Sequence, residues 1–225
     1  MEKISKKQLK ERWDYKRDSI YNLRDNLNRL KLQVRKDLKG KDEKNKLTAL
    51  IVRIMFNTSE RVGNDTSATN GRFGISQLKN NHIFLRNGKI HLVYVGKSGV
   101  KHSKSFSDEI SFNILKVLKK RNDNFLFVTN DSFRIKPDRV NRYLDNFGAK
   151  SKDIRGYNAN HMMICELKKY GKVKEQKDRI KIFNLSLKKV SEKIGHGSAT
   201  LRKHYLLPEI EGNFYLNGSV GKIKI

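Results

Sequence analysis

Asn87-Gly88 separates two short runs of alternating apolar residues, Ile83-Phe84-Leu85 and Ile90-His91-Leu92-Val93-Tyr94-Val95. Both central positions of a two-residue type I′ turn need positive φ, which Asn and Gly tolerate, so the pair predicts a β-hairpin. Lys101 to Phe106, after Gly96-Lys97-Ser98-Gly99, predicts a third strand. Outside this stretch the apolar period is helical. Ile20, Leu23, Leu27, Leu30 and Val34 recur at three and four residues until Gly40, and Leu47, Leu50, Ile51, Ile54 and Met55 share a second face. Ile110, Ile114, Leu115 and Leu118 mark another helix. So do Val140, Tyr143, Leu144 and Phe147, with Gly148 as the stop. Ser151 is the expected N-cap of a helix running to about Tyr170. Tyr170 to Lys181, polar and lysine-rich, reads as a mobile loop, and Leu187, Val190 and Ile194 build the helix after it. The expected fold is mainly α with a small three-stranded antiparallel sheet. Residues 1–19 read as a basic arm or frayed helix and 20–225 as one folded domain.

Fifty Lys and Arg against twenty-three Asp and Glu leave a formal charge of +27. A compact chain so charged repels itself, and a polyanion relieves the repulsion. Nucleic acid is the first candidate and an anionic membrane surface the second. No stretch approaches the length of apolar sequence that a spanning helix needs, and Met1 to Lys10 lacks the apolar centre of a signal peptide. Cys165 is the only cysteine, which excludes an intramolecular disulfide and a cysteine-based zinc site and fits a reducing, intracellular compartment. Its apolar neighbours Met162, Met163, Ile164 and Leu167 predict a buried thiol.

The segment Ile194-Gly195-His196 to His204-Tyr205 places an imidazole nine positions before a tyrosine. Breaking a DNA phosphodiester without a metal needs a nucleophile in line with the leaving oxygen, cations for the charge growing on the non-bridging oxygens, and an acid for the leaving oxygen. Guanidinium groups suit the second task because they stay protonated and present a planar fork of donors. A tyrosine, with an ordinary pKa of about 10, is helped to ionise by cations around it. Arg61 follows a helix and precedes the Gly63-Asn64 turn. Lys97 ends a hairpin strand, and Arg155 lies one turn into the helix from Ser151. Tyr205 has seven rival tyrosines. Tyr143 and Tyr157 read as core, as does His161 or else as a support to the site, and Tyr215 falls in a Gly- and Asn-rich tail.

These segments carry a resemblance. Glu60-Arg61-Val62-Gly63-Asn64 with Gly74-Ile75-Ser76-Gln77-Leu78-Lys79-Asn80-Asn81-His82-Ile83 resembles the first-arginine box of type IB DNA topoisomerases of the poxvirus and bacterial kind. Gly96-Lys97 resembles their hairpin lysine, and Lys152-Asp153-Ile154-Arg155-Gly156-Tyr157 their second-arginine box. Val190 to His196 and Lys203 to Glu209 are similar to their histidine and nucleophile segments, and Glu11-Arg12-Trp13 through Asp37-Leu38 to the helix that opens their catalytic domain. The resemblance implies the tyrosine recombinase and topoisomerase IB catalytic fold. It also implies relaxation of supercoiled duplex DNA through a 3′-phosphotyrosine, without ATP, metal or cofactor, by a monomer in a virus-infected host cell, a virion or a bacterium. Arg61 and Arg155 would hold the scissile phosphate, Lys97 protonate the leaving 5′-oxygen, His196 donate to a non-bridging oxygen and Tyr205 attack. Lys152, Asn64, Lys101, Lys104, Arg202 and Lys203 are the expected further DNA contacts. The small N-terminal β lobe usual in these enzymes is not expected in this stretch, which is either an excised fragment or a naturally short form; without the lobe, clamping would be weaker.

Two other functions fit parts of the pattern. Tyrosine recombinases and telomere resolvases share the Arg-Lys-Arg-His-Tyr chemistry. Recombinases usually carry a histidine three residues before the second arginine, where this chain has Lys152, and a C-terminal helix for docking, to which Asn213 to Ile225 looks unsuited. A non-catalytic basic DNA-binding protein would bind without forming a covalent adduct.

Overall fold

The structure is a computed structural model and describes residues 6–121, 124–221, 223 and 225. The chain forms two compact units, one of Asn26–Lys152 and one that joins the residues up to Asp25 to Asp153–Ile225. The first five residues of the expected arm lie outside the described residues. From Lys6 a single helix, α1 (Lys6–Lys39), runs without a break at residue 19 or 20 and stops at Gly40.

The Asn26–Lys152 unit is built on the second half of α1, α2 (Glu43–Thr58), α3 (Asp65–Thr69), a sheet, α4 (Glu109–Leu118) and α5 (Pro137–Asp145). Asp42 caps α2 by accepting from Asn45 N at 3.0 Å, and Glu43 in the first turn favours the positive end of the helix. The predicted apolar faces are buried: Leu27, Leu30 and Val34 from α1, and Leu47, Leu50, Ile51, Ile54 and Met55 from α2. The sheet is antiparallel in the order β1 (Ile83–Arg86), β2 (Lys89–Val95), β3 (Lys101–Ser107). Asn87 (φ 48°) and Gly88 (φ 70°) make the expected turn. Period two sends Ile83, Ile90, Leu92, Tyr94 and His102 inward and leaves Phe84 and Val93 exposed. On α4 the buried face is Ser111, Leu115 and Leu118, whereas Ile110, expected inside, is exposed because it precedes that face by one residue.

The second unit combines the start of α1 with most of α6 (Ser151–Lys168), α7 (Gln176–Ile194), α8 (Ser198–His204) and α9 (Pro208–Asn217). Ile20, Met163, Leu167, Phe183, Leu187, Val190, Ile194, Leu201, Ile210 and Phe214 form its core. Three expectations are corrected here. The loop expected over Tyr170 to Lys181 is helical from Gln176. Its straight-chain polar residues favour a helix, and Arg179 reaches back to Val173 O at 2.9 Å and Lys174 O at 2.7 Å. The tail from Asn213 is helical as far as Asn217, because Pro208 opens α9 and fully buried Phe214 anchors it; Gly218 (φ 68°) ends it. Cys165 and His161 are exposed, not buried. They share a face of α6 one turn apart, opposite the side that buries Ala159, Met163 and Leu167. Tyr143 and Tyr157 are half-buried, and the Tyr143 hydroxyl donates to Asp37 Oδ2 at 2.7 Å. No helix among the described residues is long and apolar enough to cross a membrane.

Candidate active site

Arg61 leaves α2 through an abrupt turn. Ser59, buried, closes the helix in the left-handed conformation (φ 59°), unusual for a non-glycine residue. The following segment is pinned by backbone and side chain together. Ile75 N donates to Arg61 O at 2.9 Å, and Ser76 donates to Val62 O from N at 3.0 Å and from Oγ at 2.9 Å. Gly63 has φ 109°, and a Cβ there would overlap the Gln77 carboxamide. That carboxamide accepts from Gly74 N at 3.0 Å and donates to Asp65 Oδ1 at 3.2 Å, which also accepts from Arg134 at 2.6 Å. The Gly63, Gly74 and Gln77 spacing thus fixes the loop that carries half-buried Arg61.

Lys97 is exposed at the tip of the β2–β3 connection, a single 3-10 turn over Lys97–Gly99. Gly96 N donates to Val100 O at 2.8 Å to close the turn, and Ser98 and Gly99 take positive φ. The Arg72 guanidinium lies over Gly99, so a methyl group there would come 2.8 Å from Arg72 Nη1. Nothing in the sequence distinguishes Arg72 from the other arginines.

Arg155, His196 and Tyr205 come together in the other unit. Arg155, on α6, is 2% exposed and donates from Nη2 to Ile194 O, the last carbonyl of α7, at 2.6 Å. Gly195 (φ 79°) ends α7, with Gly195 N and His196 N both donating to Ser191 O at 2.9 Å. This left-handed stop turns the imidazole off the helix. α8 then returns the chain to Tyr205. His196 Nε2 lies 3.1 Å from Tyr205 Oη, the two rings stack with centroids 5.1 Å apart, and the Arg155 guanidinium carbon is 5.7 Å from the Tyr205 ring.

Two residues missed by sequence reasoning hold this segment. Asn160, fully buried on α6, donates to Gly156 O at 2.7 Å and Tyr205 O at 2.8 Å and accepts from Leu207 N at 2.8 Å. Lys16, on α1, donates to Leu206 O at 2.6 Å. Burial lowers the Lys16 pKa to about 7, although the nearby Glu209 carboxylate opposes the shift. Residues 205–207 are therefore gripped at three successive backbone groups or pairs. An asparagine one turn past the second arginine was the available signal.

The remaining expected DNA contacts are dispersed. Lys101, Lys152 and Lys203 are exposed. Lys104 is half-buried on the inward face of β3, one strand period from His102. Asn64 caps α3 by accepting from Ser67 N at 3.2 Å. Arg202 forms a two-pronged ion pair with Glu211, whose Oε2 lies 2.9 Å from Arg202 Nε. Among the described residues no group of three or more His, Cys, Asp or Glu side chains is placed to hold a metal ion.

Known proteins resemble this chain in sequence or in backbone. The chain is 26% identical over 179 residues to the DNA topoisomerase 1B of Acanthamoeba polyphaga mimivirus, covering 73% of this chain and 53% of that protein. It is 25% identical over 144 residues to the DNA topoisomerase 1 of Rabbit fibroma virus (strain Kasza), covering 61% of this chain and 43% of the relative. The chain thus spans about half the length of the curated relatives it matches. Its backbone is similar to that of the XerH site-specific recombinase in a pre-cleavage complex with difH substrate. The TM-score is 0.51 at 16% identity over 84% of this chain and 51% of the recombinase, a likeness of fold. The family described as the eukaryotic DNA topoisomerase I catalytic core matches residues 5–207, nearly the whole chain, and this protein belongs to that family.

Proposed function

We propose that the chain relaxes supercoiled duplex DNA by cutting one strand through a 3′-phosphotyrosine and resealing it. The observation that carries this reading is the contact of His196 with the Tyr205 hydroxyl beside a buried guanidinium, Arg155. In the forward step the bond from Tyr205 Oη to phosphorus forms as the bond from phosphorus to the 5′-oxygen breaks. Lys97 Nζ gives that oxygen a proton, and the tyrosine proton is lost to solvent. Arg61 and Arg155 bind the non-bridging oxygens, and His196 donates to one of them, stabilising the charge that grows there. The phosphotyrosine keeps the bond energy, so the released 5′-hydroxyl reverses the reaction without ATP. Torsion in the duplex drives the swivel between the two steps. The charge of +27 supplies phosphate affinity, with Lys152, Asn64, Lys101, Lys104, Arg202 and Lys203 as further contacts.

The test is a denaturing gel of the protein with a duplex whose cleaved end diffuses away. A protein–DNA band is expected from the wild type and none from Tyr205→Phe, which must also fail to relax supercoiled plasmid. A Tyr205→Phe protein that still forms the band or relaxes plasmid overturns the reading. Exchange of strands between two duplexes, rather than relaxation of one, would assign the chemistry to recombination.

A further inference from the structure

A polar network lies wholly buried beneath the Lys97 turn, within the Asn26–Lys152 unit. Glu60, 1% exposed, precedes Arg61. Its Oε2 accepts from the Tyr94 hydroxyl at 2.8 Å and its Oε1 from His102 Nδ1 at 2.9 Å. Tyr94 and His102, each 5% exposed, are cross-strand partners whose rings stack 5.0 Å apart and within 5° of parallel. The far edge of the imidazole rests on the backbone of Gly96, where a methyl group would come 2.5 Å from His102 Nε2. A continuous path therefore runs from the backbone of Arg61 through the Glu60 carboxylate and the His102 ring to Gly96, the residue before Lys97.

Burying a carboxylate is costly unless its oxygens are satisfied, and here both are. A hydrocarbon core at these positions would hold the sheet equally well. What the hydrogen bonds add is direction, since they fix the register and rotation of β2 and β3 against the segment that carries Arg61. Lys97 itself is exposed and long, so its ammonium group is placed only as well as the turn beneath it.

We propose that Glu60, His102 and Tyr94 are positioning residues that set the Lys97 turn relative to Arg61, so that the lysine meets the leaving oxygen. This rests on the reading of Lys97 as the general acid. None of the three touches the reacting atoms.

The experiment is single-turnover cleavage by the full chain of a duplex carrying either the natural 5′-oxygen or sulfur at the scissile bridge. A thiol has a pKa of about 8.5 and leaves without an acid, so a defect in proton delivery disappears on the sulfur substrate. Lys97→Ala is expected to lose about 10²- to 10⁴-fold on oxygen and to recover on sulfur. Glu60→Gln, His102→Ala and Gly96→Ala are expected to lose about 10- to 100-fold on oxygen, the scale of a misplaced group, and to recover likewise. His102→Asn, whose amide restores a donor near Nδ1, should regain part of the loss. Tyr94→Phe removes one oxygen and keeps the ring, so it reports even if the Glu60 variant does not fold. If Lys97→Ala recovers on sulfur while Tyr94→Phe and the His102 variants keep full rate on oxygen, or lose equally on both substrates, the positioning role is overturned. If Lys97→Ala itself loses equally on both, it is the general-acid reading that fails, and the inference falls with it.

Discussion

The imidazole Nε2 of His196 lies 3.1 Å from the hydroxyl of Tyr205, and the segment between them is Gly197 and one short helix, α8. Short connections of this kind leave little freedom, so the pair is set by local geometry. On the proposed reading this sets the imidazole to donate to a non-bridging oxygen of the phosphate whose phosphorus Tyr205 attacks. His196→Ala is expected to slow cleavage about 10²- to 10³-fold, the usual loss of one donor to a developing oxyanion. His196→Gln, which keeps a donor at similar reach, should slow it less. DNA affinity measured without cleavage, in a Tyr205→Phe background, should change little. Single-turnover rates settle it, and a His196→Ala enzyme at wild-type rate removes the histidine from the mechanism.

Asn160 offers a second test. Its two donated bonds and one accepted bond tie α6 to Tyr205 and Leu207 in a fully buried setting. Asn160→Ala leaves backbone groups unpaired, each at about 1–3 kcal/mol. The melting temperature of the unit should fall by roughly 5–15 °C, taking about 2–4 °C per kcal/mol at this chain length. Asn160→Asp keeps the size and the acceptor but cannot donate to Gly156 O or Tyr205 O. It should slow cleavage without weakening binding, because what moves is the nucleophile. An Asn160→Asp protein with normal melting and normal cleavage would show the clamp to be idle.

Much of this was legible in the sequence because local rules carried it. Asn87-Gly88 set the hairpin, and the three- and four-residue periods set α1, α2, α5 and α7. The nine-residue interval from His196 to Tyr205 marked only a possible nucleophile, and their contact at 3.1 Å came from the structure. Side-chain orientation was less legible. Cys165 has apolar neighbours in sequence yet faces solvent, because adjacent residues on a helix point about 100° apart. The lysine-rich start of α7 and the Gly- and Asn-rich α9 looked like loops because their anchors are distant in sequence. Arg179 binds carbonyls of Tyr215 and Leu216, and Phe214 packs against Phe183. The Glu60, Tyr94 and His102 network was invisible for the same reason, being spread over 42 residues.

Binding should follow charge. If six to ten phosphates are neutralised, affinity should fall about 10³- to 10⁵-fold between about 50 and 200 mM salt. The sheet refines this expectation. Lys101 is exposed on the outer face of β3, whereas Lys104 is half-buried on the inner one. Lys101→Gln should therefore reduce the salt slope by about one, and Lys104→Gln by clearly less. Titration of a fluorescent duplex at four salt concentrations measures both. Equal slopes for the two variants would mean that the outer face of β3 does not meet the phosphates.

Lys16 makes stability depend on pH. Burial lowers its pKa in the folded chain to about 7, against 10.5 for an unburied lysine, with Glu209 pulling the other way. Below pH 7 the ammonium is charged in both states, and the folded chain bears the full cost of burying it. Between about pH 7 and 10.5 the unfolded chain holds a proton that the folded chain has released. Unfolding then takes up a proton, and the fold gains stability as pH rises through that window. Lys16→Met keeps the length of the side chain and removes the titration, though it also gives up the bond to Leu206 O. Urea midpoints at pH 6, 7.5 and 9 should show the wild type gaining on Lys16→Met with each step, the gap being smallest or reversed at pH 6. A gap constant across the three pH values would mean that Lys16 is solvated and titrates as an ordinary lysine. The grip on the Leu206 carbonyl, next to the nucleophile, would then count for little in holding Tyr205 in place.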